Sequence, residues 1–148
     1  MHKIFGQKKD IVYVDRAGAY LIPLREDTVG VVGTPKGYFL LGGGIDAGES
    51  HEACLYRECL EETGCVASVG ACVGSAEAYT VHPTVGYFHP IQTYYIGEIS
   101  EAVYIPLESD HRLVWLKIDT AAHQMYSEMQ RWAIRMAING KNDAKSQG

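Results

Sequence analysis

The segment from Gly43 to Cys65 constrains this chain more than any other. It reads GGIDAGESHEACLYRECLEETGC. Ser50 suits an N-cap, and Gly64 suits the residue that ends a helix, so the pattern predicts a helix from about His51 to Thr63. Glu58, Glu61 and Glu62 stand at i, i+3 and i+4 in it. At ~100° of turn per residue they share one face. Like charges at that spacing weaken a helix by roughly 0.2–0.5 kcal/mol per pair. A divalent cation would offset this, and oxygen-only ligands point to Mg²⁺ first and Mn²⁺ second. Ala53, Tyr56, Cys59, Leu60 and Thr63 are expected on the opposite, core-facing side. Arg57 lies on the flank, where it can hold Glu61 or reach back to Glu49. Leu41-Gly42-Gly43-Gly44 is expected as a loop whose backbone can approach a ligand or metal closely. A glutamate-rich helix face is by itself most often plain solvated surface.

The joint spacing G-x5-E-x7-R-E-U-x-E-E-x-G-U, with U apolar, removes that reading. Here it is met by Gly43, Glu49, Arg57, Glu58, Glu61, Glu62 and Gly64. It resembles the signature of the Nudix hydrolases, MutT-like enzymes. Cys59 and Cys65 fill the U positions as small buried hydrophobes. Gly42 stands where many members carry proline, and Asp46 where many carry glutamate. The resemblance implies Mg²⁺-dependent hydrolysis of a phosphoanhydride bond in a nucleoside diphosphate linked to another moiety. A nucleoside triphosphate, a nucleotide-sugar and ADP-ribose are such substrates. It implies metal binding by Glu58, Glu61 and Glu62, with the Gly42 or Gly43 carbonyl as a further ligand. Glu49 and Gly64 are then structural, and Arg57 orients the glutamates. The general base is either Glu58 or a distal acid among Glu98, Glu101, Glu108 and Asp110. Glu108 is favoured because it sits in a loop just before the Val114-Trp115 strand. The alternative is a catalytically silent Nudix-fold module that binds or senses nucleotides; such modules tend to lose box glutamates, and this chain keeps them all.

The 148 residues suit one domain, 1–148, with 141–148 as a flexible tail. A formal net charge of −5 argues against a partner that is nucleic acid. The absence of a long apolar run argues against a membrane, and the N-terminal segment does not read as a signal peptide. Cys54, Cys59, Cys65 and Cys72 form no C-x-x-C pair, which favours reduced thiols and a cytoplasmic location. The expected partner is a small nucleotide, and the resemblance adds a homodimer as a weaker expectation.

Along the chain, strands are expected at Ile11–Val14, Ala17–Leu24, from Val29, at Tyr38–Leu41, through Cys65–Val81, and at Ile91–Ile99 and Leu113–Ile118. Gly70 and Gly74 mark bends or bulges in the long one. From Thr120 the period becomes helical, with Met129, Trp132, Ala133 and Met136 facing the core and Asn139-Gly140 as the stop. This mixture predicts an α/β fold with helices on both sides of a mixed sheet. The Nudix α/β/α sandwich agrees. Tyr79, Tyr87 and Phe88 are the candidate substrate contacts, with Tyr94 and Tyr95 behind them, although strand tyrosines are commonly packing residues. His82 and His89 flank the same loop. The downstream subfamily marks are not met cleanly: Thr80 stands where ADP-ribose types place proline, and His82-Pro83 where dinucleoside-polyphosphate types place tyrosine.

Overall fold

A computed structural model of the protein describes residues 1–147. Its elements are β1 (His2–Phe5), β2 (Val14–Arg25), β3 (Thr28–Thr34), β4 (Gly37–Phe39), β5 (Leu41–Gly44), α1 (His51–Thr63), β6 (Ala67–Ala78), β7 (Thr80–His82), β8 (Gly86–Ile99), β9 (Arg112–Lys117), α2 (Ile118–Gln124) and α3 (Glu128–Gln147). They form a mixed sheet between helices, the expected α/β/α sandwich. No helix among the described residues is long and apolar enough to cross a membrane.

β2 organises the sheet. One edge pairs in parallel with β8, from Val14↔Phe88 to Pro23↔Gly97. Its other edge is shared: Gly18 to Leu21 pair with β5, and Leu24 and Arg25 pair with β3. β3 carries β4 and β9, while β8 carries β6 and β7, and β1 closes the far side on β6. The side chains alternate across the sheet, and both faces are covered. Ala19, Leu21 and Val32 pack with Cys54, Leu55 and Cys59 of α1. Ile22, Val31 and Tyr94 pack on the other face with Met129, Trp132 and Ala133 of α3. The expected α3 stripe is therefore in place, with Met136 at its margin.

Several expectations are corrected. Residues 11–13 are not a strand; β2 begins at Val14, and the short β1 precedes it. The Tyr38–Leu41 run is broken at Leu40, whose N–H turns to Gln130. The glycine segment is strand β5 rather than a loop. Its register shows why: Gly42 and Gly43 lie directly opposite Tyr20 and Ala19. The core side of α1 is Cys54, Leu55, Cys59, Glu62 and Thr63, whereas Ala53 and Tyr56 are exposed and Leu60 is half-buried. The carboxylate face thus overlaps the buried face instead of opposing it. β8 starts at Gly86, so the connection from β7 is a tight hairpin. Gly70 and Gly74 do coincide with register shifts in β6. Two helices, not one, follow β9, and α3 runs on through Asn139-Gly140 to Gln147. One glycine costs a helix only about 1 kcal/mol. The expected tail therefore begins in helix, and Gly148 lies outside the described residues. Cys54, Cys59 and Cys65 are buried free thiols, and Cys72 is an exposed one.

Candidate active site

The ends of α1 are tightly specified. Ser50 Oγ accepts the Ala53 N–H at 3.1 Å. Gly64 adopts φ 74°, and its N–H reaches Leu60 O at 3.0 Å. Only glycine fits there, because a Cβ would sit 1.9 Å from Tyr104 O. Gly64 O in turn accepts the Val103 and Tyr104 N–H groups at 2.8 and 3.2 Å. Glu61 O accepts those of Leu107 and Glu108 at 3.0 and 3.3 Å. The orphan carbonyls of the helix end thereby dock the loop that carries Glu108.

Four carboxylates meet at this end of α1: Glu58, Glu61, Glu62 and Glu108. Glu62 is 6% exposed, and its Oε1 accepts the Gly42 N–H at 2.9 Å. Glu58 lies against Gly43, where a Cβ would come within 2.7 Å of its carboxyl group. The Gly43 carbonyl faces Cys54 Sγ at 3.6 Å. One guanidinium binds the other flank. Arg57 Nε and Nη2 donate to the two oxygens of Glu49 at 2.8 and 2.9 Å. Its Nη1 donates to Glu58 Oε1 at 2.9 Å and Glu61 Oε2 at 3.3 Å, and Nη2 also reaches Gly44 O at 3.1 Å. This forked geometry suits arginine and not lysine.

The electrostatics differ across the cluster. Hydrogen bonds from Arg57, then from the Asp46 N–H, hold Glu49 down to about 2. The same network pushes Arg57 up. Burial raises Glu58 against the opposing effect of Arg57. Burial also raises Glu62 well above the usual carboxylate range, and the nearby Glu58 and Glu108 add to this. Glu62, Glu108 and His111 bring ligand atoms within 4.8 Å of one another. His111 Nδ1 faces Glu108 Oε2 directly and lies 3.6 Å from Glu62 Oε2. A donor set of several carboxylates, short of cations and partly buried, fits a hard divalent cation.

A cleft of about 600 Å³ opens beside Glu62, at the fork where β2 passes from β5 to β3. Tyr20, Phe39, Phe88, Gln92, Gln130 and His111 help to line it. Among the aromatic candidates, Phe88 is in the cleft. Tyr87 projects from the other face of β8, near Tyr13, and is half-exposed. Tyr79 stacks on His89 at 4.4 Å and donates its hydroxyl to Glu77. Tyr94 is buried in the core, and Tyr95 bonds His51 at 2.8 Å. His82 and Asp110 border the cleft, while Glu98 lies beside Arg25 and Trp115. Sequence reasoning missed Tyr20, Phe39, Gln92, Gln130 and His111. Gln130 did leave a signal, as a polar residue within the apolar stripe of α3.

The NUDIX domain family model matches residues 5–136. A NUDIX hydrolase from Nitrosomonas europaea superimposes with a TM-score of 0.70 at 20% identity, over 86% of this chain and 91% of that one. A MutT protein from Methanosarcina mazei Go1 gives a TM-score of 0.70 at 17% identity, over 89% and 99%. A MutT NUDIX hydrolase from Burkholderia pseudomallei gives 0.66 at 19%, over 83% and 98%. No curated protein matches the chain by sequence. The structural likenesses share the fold, and the family match spans nearly the whole chain with its box intact: the protein belongs to the NUDIX family and is a hydrolase acting on pyrophosphate bonds.

Proposed function

We propose that this protein hydrolyses a phosphoanhydride bond in a nucleoside diphosphate linked to another group, with Mg²⁺ as its metal and Mn²⁺ as a substitute. A nucleoside triphosphate, a nucleotide-sugar and ADP-ribose each contain such a bond. The observation that carries this reading is the meeting of Glu58, Glu61 and Glu108 around Glu62, which itself borders a cleft lined by aromatic and amide side chains. Such an acidic site repels a pyrophosphate unless a cation joins them. Glu58, Glu61 and Glu62 would hold Mg²⁺, which when bound neutralises phosphate oxygens and acidifies water.

The chain's own residues supply positioning. Arg57 locks Glu58 and Glu61 in direction. Glu62 is fixed by the Gly42 N–H. Glu108 acts as the base that takes a proton from the attacking water, and Glu58 is the competing choice. His111 Nδ1 lies against Glu108 Oε2, and neither atom has a hydrogen-bond partner among the described residues. Phe88, Tyr20 and Phe39 offer ring faces to the nucleoside. Positioning and charge stabilisation dominate reactions of this type.

A hydrolysis screen with Mg²⁺ tests the reading. It covers nucleoside triphosphates, ADP-ribose, nucleotide-sugars and dinucleoside polyphosphates, with product identification. Cleavage within the pyrophosphate of at least one class is expected, and it should stop with EDTA. Failure to cleave any of them, or cleavage indifferent to EDTA, contradicts the proposal.

A further inference from the structure

Two glutamines border the cleft from different elements, Gln92 on β8 and Gln130 on α3. A side-chain amide has one oxygen acceptor and an NH₂ donor. Gln130 is 2% exposed, and its Oε1 accepts the Leu40 N–H at 2.8 Å. A backbone N–H can only donate, so this bond decides which end of the amide is which. Gln92 Oε1 accepts the hydroxyl of Tyr94 at 2.7 Å. Both oxygens are thus occupied inside the protein. Neither NH₂ group has a partner within the described residues, and neither is among their sealed, partnerless side-chain atoms. Both residues line the cleft, and these NH₂ groups are donors without a protein partner there.

We propose that Gln92 and Gln130 select the nucleobase: the cleft takes a base whose facing edge presents an oxo group, as guanine and uracil do, and discriminates against adenine and cytosine. This rests on the nucleotide reading given above. The aromatic walls cannot make that choice, because every base offers a ring face. The amides can. Guanine presents O6 and N7 as acceptors, whereas adenine and cytosine place an amino donor at the corresponding position. An amino group there meets an NH₂ group and leaves donors unpaired on both sides.

The test is titration calorimetry of the full chain, in Mg²⁺, with GMP, UMP, AMP and CMP. GMP and UMP should bind at least roughly tenfold more tightly than AMP and CMP. Gln130→Glu keeps an oxygen for the Leu40 N–H and turns the cleft-facing donor into an acceptor, so the preference should narrow or reverse. Gln92→Glu makes the same exchange on the other wall and serves if the first variant does not fold. Equal affinity for the four bases, or an unchanged preference in the folded variants, overturns the inference. Turnover of the matching triphosphates on the same samples separates the two levels. Hydrolysis without base preference overturns the selectivity alone. Base-selective binding without hydrolysis supports the selectivity and counts against the proposed triphosphate turnover.

Discussion

The two flanks of α1 treat their carboxylates in opposite ways. On one flank Arg57 supplies a five-donor fork, and Glu49, Glu58, Glu61 and the Gly44 carbonyl occupy it. On the other, Glu62 and Glu108 flank a single histidine, and Glu62 alone accepts a backbone N–H. On the first flank every donor of the guanidinium meets an acceptor. The second is short of positive charge and borders the cleft. The contrast sets Arg57 and Glu49, which are matched to each other, apart from Glu62 and Glu108, which are not, with Glu58 and Glu61 reaching from the Arg57 side towards the second pair.

That division can be broken by substitution. Glu108→Gln should lower kcat by about 100-fold or more, the range for loss of a general base, with KM and melting temperature little changed. Wild-type turnover in that variant would shift the role to Glu58. Arg57→Ala should act chiefly on stability. It leaves Glu49 and the partly buried Glu58 without their partner, at a cost of about 2–4 kcal/mol by denaturant unfolding. Arg57→Lys should recover only part of this, since an ammonium cannot form the two-point contact with Glu49. An Arg57→Ala protein as stable as wild type would contradict the structural role.

The smallest effect concerns acid stability. Glu49 is held down to about 2, below the unfolded value of about 4.3 for glutamate. Its contribution is therefore fully present above about pH 4.3 and fades as pH falls towards about 2. Melting curves of wild type and Glu49→Gln should differ at neutral pH and converge on acidification through that window. Parallel curves would remove Glu49 from the network.

The part of the site that could be read along the chain is the part written locally. The caps of α1, the i, i+3, i+4 carboxylates and the reach of Arg57 to Glu49 all lie within one helix and the turn before it. Glu108 was also approachable, as an acid in a loop before a strand. What the local pattern could not supply was the direction of the core. Apolar periodicity placed Ala53, Tyr56 and Leu60 inside, but the helix buries Glu62 beside Cys59. A buried carboxylate inverts the usual amphipathic logic, because its burial is supported by a backbone N–H rather than by apolarity. The glycine segment misled for a related reason: glycines suggest a loop, yet here they let β5 lie against Tyr20 while Glu58 approaches its backbone. The cleft wall was hidden by distance along the chain. Tyr20, Gln92 and Gln130 meet only through the parallel pairing of β2 with β8 and the packing of α3 on the sheet.

The central claim is that the acidic end of α1 is a working divalent-metal site. Mg²⁺-dependent cleavage of the pyrophosphate substrate found in the screen, read as formation of the nucleoside monophosphate by Glu61→Gln and by wild type at equal fold content by circular dichroism, tests it most directly. The account predicts turnover in the wild type that is lost with EDTA and essentially abolished in the variant. Unchanged turnover in a folded Glu61→Gln protein would contradict it.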